Sequence, residues 1–355
     1  MAQRICLVIG AGCTVADTLS LPKKDQPPLD KAFFSLSNKT NHAAVTKIRS
    51  YIEENYGFDI LLTVNDSLEA VMAKIYTDIF NPDLRDEAIE VFRTLISLFN
   101  RRLADTTNSV PATQGRYLYR IICHYLDTGV EPEAITIITF NQDIQIEKIL
   151  HKLDQTQRYS ERGRIFNFPS CYSVDFVATT FPERSKDLFT EEHPNLRSIK
   201  LLKLHGSLNW YSSHNTTKVS PEAMFEPSRP IRVTCRQTID PQMRHRRARS
   251  LRTLPVIVPP VTHKSGILHN AIKPLWNMAE KALKTANEVV IFGYSCPAMD
   301  FESSNLIQRS LRSGSYEVLW VIDLDPNVLT RYIELIKPEE ITYYPSAQAW
   351  LKSRK

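Results

Sequence analysis

The stretch that decides the fold lies near the start of the chain and reads Ile5-Cys6-Leu7-Val8-Ile9-Gly10-Ala11-Gly12. An apolar run rich in branched residues and bounded by a glycine predicts a buried strand. The Gly-Ala-Gly sequence after it predicts a tight turn into a helix. Because the chain holds only 10 glycines in 355 residues, the place of these two is informative. The segment predicts the first strand–turn–helix unit of an α/β fold.

The same alternation recurs further along the chain. Strands are predicted at 135–140, 199–204, 288–292 and 317–322, and helices at 144–153, about 267–285 and 301–312. Strands that alternate with helices favour a parallel sheet flanked by helices. The predicted fold class is therefore α/β with a parallel sheet.

Two segments interrupt this alternation. Residues 31–128 have a helical pattern, in which apolar residues recur at steps of three and four, at Leu84, Ala88, Val91, Phe92, Leu95 and Phe99. Residues 212–252 are polar and rich in proline and arginine, and their pattern indicates no element. We predict one domain over 1–355, with a helical insertion at about 31–128 and a variable segment at about 212–252.

Composition excludes several classes of protein. With 43% hydrophobic and 23% charged residues, the chain is not disordered, fibrous or collagen-like. It contains no run of about 18 apolar residues, so no transmembrane helix is predicted, and the run at 5–9 is too short for a signal peptide. The six cysteines form no CxxC pair, which favours reduced thiols over disulfides or a zinc site. We expect a cytoplasmic protein.

The positive charge is concentrated in one segment. Between Arg229 and Arg252 there are eight arginines against the single acid Asp240, so this segment carries +7 while the whole chain carries +5. The remainder is therefore mildly acidic. The segment is interpreted as a solvated loop or as a contact for an acidic partner; nucleic-acid binding is the less favoured role.

Small and polar residues follow each predicted strand, at the edge where open parallel sheets bind ligands. They are Gly10-Ala11-Gly12, Asn141-Gln142-Asp143, His205-Gly206, Gly293-Tyr294-Ser295 and Asp323. Each also has a simple structural interpretation. The glycines form a turn without a ligand, His205 is a structural histidine, and Asn141 and Asp300 cap helices. Val15 replaces the third glycine of GxGxxG, which disfavours a usual Rossmann dehydrogenase.

Taken in order, the motifs resemble the sirtuin-like superfamily, in particular its bacterial branch of NAD-hydrolysing antiphage-defence proteins. The resemblance spans about residues 5–325 and rests on residues 8–14, 139–143, 203–210, 258–260, 291–295, 300–302 and 321–323. It implies a Rossmann-type sheet that binds NAD as substrate.

The resemblance also implies roles for individual residues. Asn141 and His205 match the catalytic asparagine and histidine. The implied NAD-binding residues are Gly10, Ala11, Gly12, Thr14, Asp143, Gly293, Ser295, Asp300 and Asp323. Thr14 stands where the family usually has serine, and Asp323 where many sirtuins have asparagine. A histidine, whose ordinary pKa is about 6.5, serves as a base near neutral pH.

Two departures favour NAD hydrolysis over protein deacylation. The chain lacks the four-cysteine zinc ribbon of deacylases, so no metal is expected, and residues 15–134 are longer and more helical than a deacylase cofactor loop. The expected products are nicotinamide and ADP-ribose. The alternatives are an NAD- or ADP-ribose-binding regulatory protein without hydrolysis, and an NAD-dependent deacylase.

The family implies a toxic effector of abortive infection, which requires a trigger. Only 32 residues follow Asp323, too few for a sensing domain. We therefore expect homo-oligomerisation and a separately encoded partner, such as a hexameric DNA-translocase-like ATPase.

Overall fold

The computed structural model describes residues 3–19, 21–22, 33–39, 41–61, 68–160, 165–174, 198–215, 232–233, 251–258, 272–297, 300–336 and 341–354. Its strands are β1 (Ile5–Ile9), β2 (Ile135–Thr139), β3 (Lys200–Lys203), β4 (Gly206–Asn215), β5 (Arg232–Val233), β6 (Leu251–Ile257), β7 (Glu288–Phe292), β8 (Val318–Ile322) and β9 (Ile341–Tyr344). Its α-helices are α1 (Ala11–Thr18), α2 (Phe33–Asn38), α3 (His42–Tyr56), α4 (Leu68–Asp78), α5 (Arg85–Ser109), α6 (Tyr117–Asp127), α7 (Gln145–Asp154), α8 (Gln157–Ser160), α9 (Lys273–Thr285), α10 (Phe301–Arg312), α11 (Asn327–Ile336) and α12 (Ala347–Ser353).

Six strands form one parallel sheet in the order β3-β2-β1-β7-β8-β9. When these six strands are renumbered 1 to 6 by their order along the chain, their order across the sheet is 3-2-1-4-5-6. This is the strand order of the Rossmann dinucleotide-binding fold. The order reverses between β1 and β7. Both of these central strands are buried along their whole length, because helices cover both faces of such a sheet. The predicted fold class is confirmed.

A second, smaller sheet was not predicted. It is antiparallel, with the strand order β5-β4-β6, and β4 begins at Gly206, three residues after β3 ends. A bulge between Ser207 and Tyr211 shifts the register of β4 against β6. The sequence pattern missed this sheet because its strands lie within or beside the polar, proline-rich stretch. Most of 212–252, including nearly all of the arginine-rich segment, lies outside the described residues.

The helices in the described part of 31–128 are α2–α6. The periodicity at 84–99 is confirmed by α5, which buries Ala88, Val91, Phe92, Leu95 and Phe99. Helix α5 packs against α3 and α4. Within the described ranges, no helix has both the length and the apolar character needed to cross a bilayer.

Candidate functional site

The residues predicted for the site follow five parallel strands, so they lie along one edge of the sheet. Gly10 follows β1, Asn141 follows β2, His205 follows β3, Gly293 follows β7 and Asp323 follows β8. Strands β1 and β7 are neighbours at the point where the strand order reverses, and in this fold that point is where ligands bind.

The glycines let two loops touch backbone to backbone. The Gly12 amide donates to the Gly293 carbonyl at 2.8 Å, and the Gly10 amide donates to the Phe292 carbonyl at 3.1 Å. A Cβ atom on Gly10 would lie 2.4 Å from the Gly293 oxygen, and a Cβ on Gly293 would lie 2.0 Å from the Cys13 nitrogen. Gly293 also has φ +66°, a conformation that side chains disfavour. This packing by itself explains why glycine stands at these positions.

The same contact places the N-terminus of α1 at the reversal point. Ala11, the first residue of α1, is exposed, Gly12 is half-buried, and Thr14 is buried. The first amides of a helix carry partial positive charge and attract anions. The α1 N-terminus is therefore suited to a phosphate group, although the Gly12 amide already has the Gly293 carbonyl as its partner.

Asn141 is fixed to the end of β1 and does not cap a helix. Its Nδ2 donates to the Gly10 carbonyl at 3.1 Å, and its backbone amide donates to the Thr139 hydroxyl. That hydroxyl donates to the Ile9 carbonyl at 2.9 Å. The N-cap position of α7 is held by Ile144. The structural interpretation of Asn141 as a helix cap is therefore wrong, and the side chain instead joins β1 to β2 at the candidate site.

The residues after Asn141 connect the β2–α7 loop (residues 140–144) to the second sheet. The Leu208 amide donates to the Gln142 carbonyl at 2.8 Å, and Gln142 Nε2 donates to the Val258 carbonyl at 3.2 Å. The buried Asp143 accepts a hydrogen bond from the Gln145 amide at 2.9 Å. Asp143 therefore stabilises the start of α7, one turn beyond the candidate site.

His205 is buried and its ring lies beside aromatic side chains. Its ring centroid lies 5.3 Å from that of Phe140 and 6.2 Å from that of Trp276, and Trp276 donates its indole N–H to the Leu204 carbonyl. The His205 carbonyl accepts from the Val258 amide at 2.9 Å. The next residue, Gly206, has φ +74°, and a Cβ there would lie 2.1 Å from the Val256 oxygen. This turn between β3 and β4 fixes the position of the imidazole.

A buried carboxylate faces His205. Asp300 Oδ2 lies 3.9 Å from His205 Nε2, within ion-pair range but too far for a direct hydrogen bond. Tyr294 donates its hydroxyl to the same Oδ2 atom at 3.2 Å and stacks on Phe140 with ring centroids 4.4 Å apart. Burial and the nearby Asp300 carboxylate raise the pKa of Tyr294 well above its ordinary value, so Tyr294 remains a donor at neutral pH.

Asp300 illustrates where the sequence prediction was incomplete. It occupies the N-cap position of α10 as predicted, but its side chain makes no capping hydrogen bond. The capping interpretation was a reasonable one because Asp commonly stands at this position. Phe140 and Tyr294 stand in the motifs after β2 and β7, and Trp276 lies on α9. None of the three was given a role from the sequence, since such aromatic residues resemble ordinary core residues.

Ser295 and Asp323 lie on the same edge but have contacts with other elements. The Ser295 carbonyl accepts from Arg331 of α11 at 3.2 Å. Asp323 Oδ1 accepts from the Asp325 amide, and its carbonyl accepts from the Tyr343 hydroxyl of β9. Burial raises the pKa of the half-buried Asp323 above its ordinary value. The structure thus places Asn141 and His205 after the neighbouring strands β2 and β3, with Asp300 close to His205, whereas Asp323 follows β8 on the other side of β7.

A cavity of about 480 Å³ lies at the opposite edge of the sheet, away from these residues. Its lining includes Arg4 before β1, Lys200 at the start of β3 and Lys281 on α9. We place the candidate site at the carboxyl edge because the buried polar side chains converge there. Within the described part of the chain, no three His, Cys, Asp or Glu side chains are grouped as metal ligands.

Comparison with known proteins gives a limited result. No family model matches the chain, and no curated protein is significantly similar to it in sequence. Among solved structures, a mutant Sir2 homologue in complex with ADP-ribose is similar, at 12% identity and a TM-score of 0.38, covering 79% of this chain and 78% of that chain. A structure addressing sirtuin substrate affinity matches at 12% identity and a TM-score of 0.40, covering 99% and 92%. A third, addressing the mechanism and regulation of Sir2 enzymes, matches at 10% identity and a TM-score of 0.35, covering 99% and 90%. At these values the fold assignment rests on the strand order of the chain itself.

Proposed function

We propose that this chain binds NAD at the carboxyl edge of its parallel sheet and hydrolyses the bond between nicotinamide and ribose. The observation that carries the proposal is the pairing of the buried His205 with the buried Asp300 at 3.9 Å, at the end of the strand next to the one that carries Asn141. Helix capping explains neither the buried imidazole beside a carboxylate nor the position of Asn141. The Rossmann strand order and the α1 N-terminus support a dinucleotide as the ligand.

The chemistry asks little of the protein beyond positioning and proton transfer. Nicotinamide leaves NAD as a neutral molecule, and the ribose passes through an oxocarbenium-like state, as in glycoside cleavage. A water oxygen then bonds to the ribose carbon while its proton moves to a base. In our proposal His205 accepts this proton and Asp300 stabilises the resulting imidazolium. Tyr294 holds the Asp300 carboxylate in place through its hydroxyl.

Asn141 has the geometry of a positioning group in this scheme. Its Nδ2 is held by the Gly10 carbonyl, which leaves Oδ1 as its acceptor for a water or a ribose hydroxyl. The products are nicotinamide and ADP-ribose. The same residues would also serve an NAD-dependent deacylase, whereas a protein that only binds NAD or ADP-ribose needs no base.

The decisive experiment measures nicotinamide release from NAD by the purified chain, with His205→Ala and Asn141→Ala as variants. We expect each variant to abolish release while circular dichroism shows an intact fold. Deacylation is tested in the same assay by adding an acyl-lysine peptide and following loss of the acyl group. Unchanged NAD loss in both variants would refute the assignment. NAD binding without release, seen as a raised melting temperature, would favour the binding-only alternative or a site that awaits activation.

The biological role rests on the family resemblance alone. We propose a cytoplasmic antiphage effector that depletes NAD when it assembles with copies of itself or with a separately encoded partner, such as a hexameric translocase-like ATPase. Size-exclusion chromatography with light scattering tests the self-assembly. A strict monomer at micromolar concentration would count against it. Growth of cells that produce the wild type or His205→Ala, with and without phage, tests the toxicity.

A further inference from the structure

A buried network of charged and polar side chains lies behind the candidate site. Lys203, the last residue of β3, is fully buried and donates its ammonium to Glu147 Oε1 at 2.9 Å and to the Asp143 carbonyl. Glu147, on α7, is also fully buried and accepts the Tyr172 hydroxyl at 2.8 Å. No step of the proposed reaction uses these groups.

The network continues into the second sheet. Asn209 of β4 donates its Nδ2 to the Tyr172 hydroxyl at 2.9 Å, and the Ser207 hydroxyl donates to Asn209 Oδ1 at 2.6 Å. One end of the network therefore holds the β2–α7 loop, two residues after Asn141. The other end holds the beginning of β4, two residues after His205. Lys203 itself lies two residues before His205 on the chain.

Stability does not account for a Lys–Glu pair at this depth. Two charges removed from water lose hydration that their attraction barely repays, and an apolar pair of similar volume is commonly as stable or more so. What the ion pair adds is direction, because the Lys203 ammonium bonds a backbone carbonyl of the loop and a carboxylate of the helix at once. Apolar side chains would fill the space without fixing that loop.

We propose that Lys203 and Glu147 are positioning residues that hold Asn141 and His205 at a fixed separation for the proposed reaction. The inference deepens the proposed function and rests on it. A displacement of about 1 Å in a catalytic group is enough to lower a rate about 100-fold. The network acts through the backbone on both sides of the site, and neither Lys203 nor Glu147 needs to touch the substrate.

Two variants and one matched control test the proposal. Tyr172→Phe removes a buried hydroxyl that donates to Glu147 at 2.8 Å. Tyr125→Phe, the control, removes a buried hydroxyl that donates to Glu288 at 2.7 Å, at the opposite edge of the sheet. The double variant Lys203→Met with Glu147→Met removes both charges, so that neither is left buried without its partner. Each protein is measured for kcat and KM with NAD and for native-state hydrogen exchange.

We expect the double variant to lose kcat by about 100-fold with little change in KM, and Tyr172→Phe to lose less. Tyr125→Phe should keep the wild-type kcat. Exchange of the Leu208 amide, which bonds the Gln142 carbonyl, should quicken in both network variants, whereas the Gly293 amide, which bonds the Ile322 carbonyl, should stay protected.

Three results would overturn the inference: an unchanged kcat in the double variant, equal losses in Tyr172→Phe and Tyr125→Phe, or faster exchange at Leu208 and Gly293 alike. If the wild type neither binds NAD nor releases nicotinamide, the proposed function fails, and the exchange data still show whether the network holds the loop. Unchanged Leu208 exchange would then refute the inference by itself.

Discussion

Replacing Gly293 by alanine should cost far more stability than its conformation alone predicts. An alanine at φ +66° costs about 1–2 kcal/mol because Cβ crowds the backbone in this region. At Gly293 the added Cβ would also lie 2.0 Å from the Cys13 nitrogen and 2.4 Å from the Gly12 carbonyl carbon. Ordinary contact begins near 3.4 Å, so the start of α1 would have to move by about 1.4 Å.

That movement breaks the hydrogen bond from the Gly12 amide to the Gly293 carbonyl, which is worth about 0.5–1.5 kcal/mol. Forced repacking adds about 1–3 kcal/mol. We therefore expect Gly293→Ala to lower the free energy of unfolding by about 2.5–6.5 kcal/mol in total. The displaced α1 N-terminus should also weaken NAD binding.

Gly57 provides the matched control. Its φ is +71°, close to that of Gly293, but a Cβ there meets no atom within 4 Å. Gly57→Ala should therefore lose only the conformational part, about 1–2 kcal/mol. Urea unfolding followed by circular dichroism gives both values. A difference of less than about 1 kcal/mol between the two variants would refute the argument that backbone contact requires glycine at 293.

Two further predictions concern buried ionisable groups. Asp300→Asn should lower kcat for NAD about 10- to 100-fold with little change in the dissociation constant for NAD, because it removes the anion beside His205; Tyr294→Phe should lose less. Steady-state kinetics with a binding titration test this, and a weakened affinity with kcat intact would instead assign Asp300 to cofactor binding. Burial, together with the nearby Arg116, lowers the pKa of Lys148 from 10.5 to about 8. Between these values the unfolded chain holds a proton that the folded chain has lost, so stability should rise with pH, relative to Lys148→Met, by about 1.4 kcal/mol per pH unit. Urea unfolding from pH 7 to 9.5 measures this rise, and a difference that does not change with pH would contradict the lowered pKa.

The sequence determined the central sheet because its signals are local. Each strand is a short apolar run, each turn after it begins with a small or polar residue, and the helices have their own periodicity. The rule that ligands bind beyond the carboxyl ends of parallel strands then selected the residues after those strands. In this way the sequence alone places Gly10, Asn141, His205 and Gly293 on one edge.

The sequence also left open why those residues occur where they do. The sequence offered two interpretations of the Gly-Ala-Gly turn, a tight turn without a ligand and an NAD-binding loop. The structure adds that a Cβ on Gly10 or Gly12 would overlap Gly293 and, at Gly10, also Tyr294. Both demands favour the same residue type, so composition by itself does not separate them.

Only the tertiary structure decided which side chains meet. Asn141 bonds the carbonyl of Gly10, 131 positions away, and Lys203 meets Glu147 across 56 positions. A local pattern shows which face of a strand or helix is buried, but not which distant residue packs against it. For the same reason the sheet of β4, β5 and β6 escaped prediction, and the sequence placed Asp300 at the start of α10 without showing that its carboxylate faces His205. The proximity of the buried His205 and the buried Asp300 arises from the crossing of chain segments that are distant in the sequence, and it exists only once the sheet has folded.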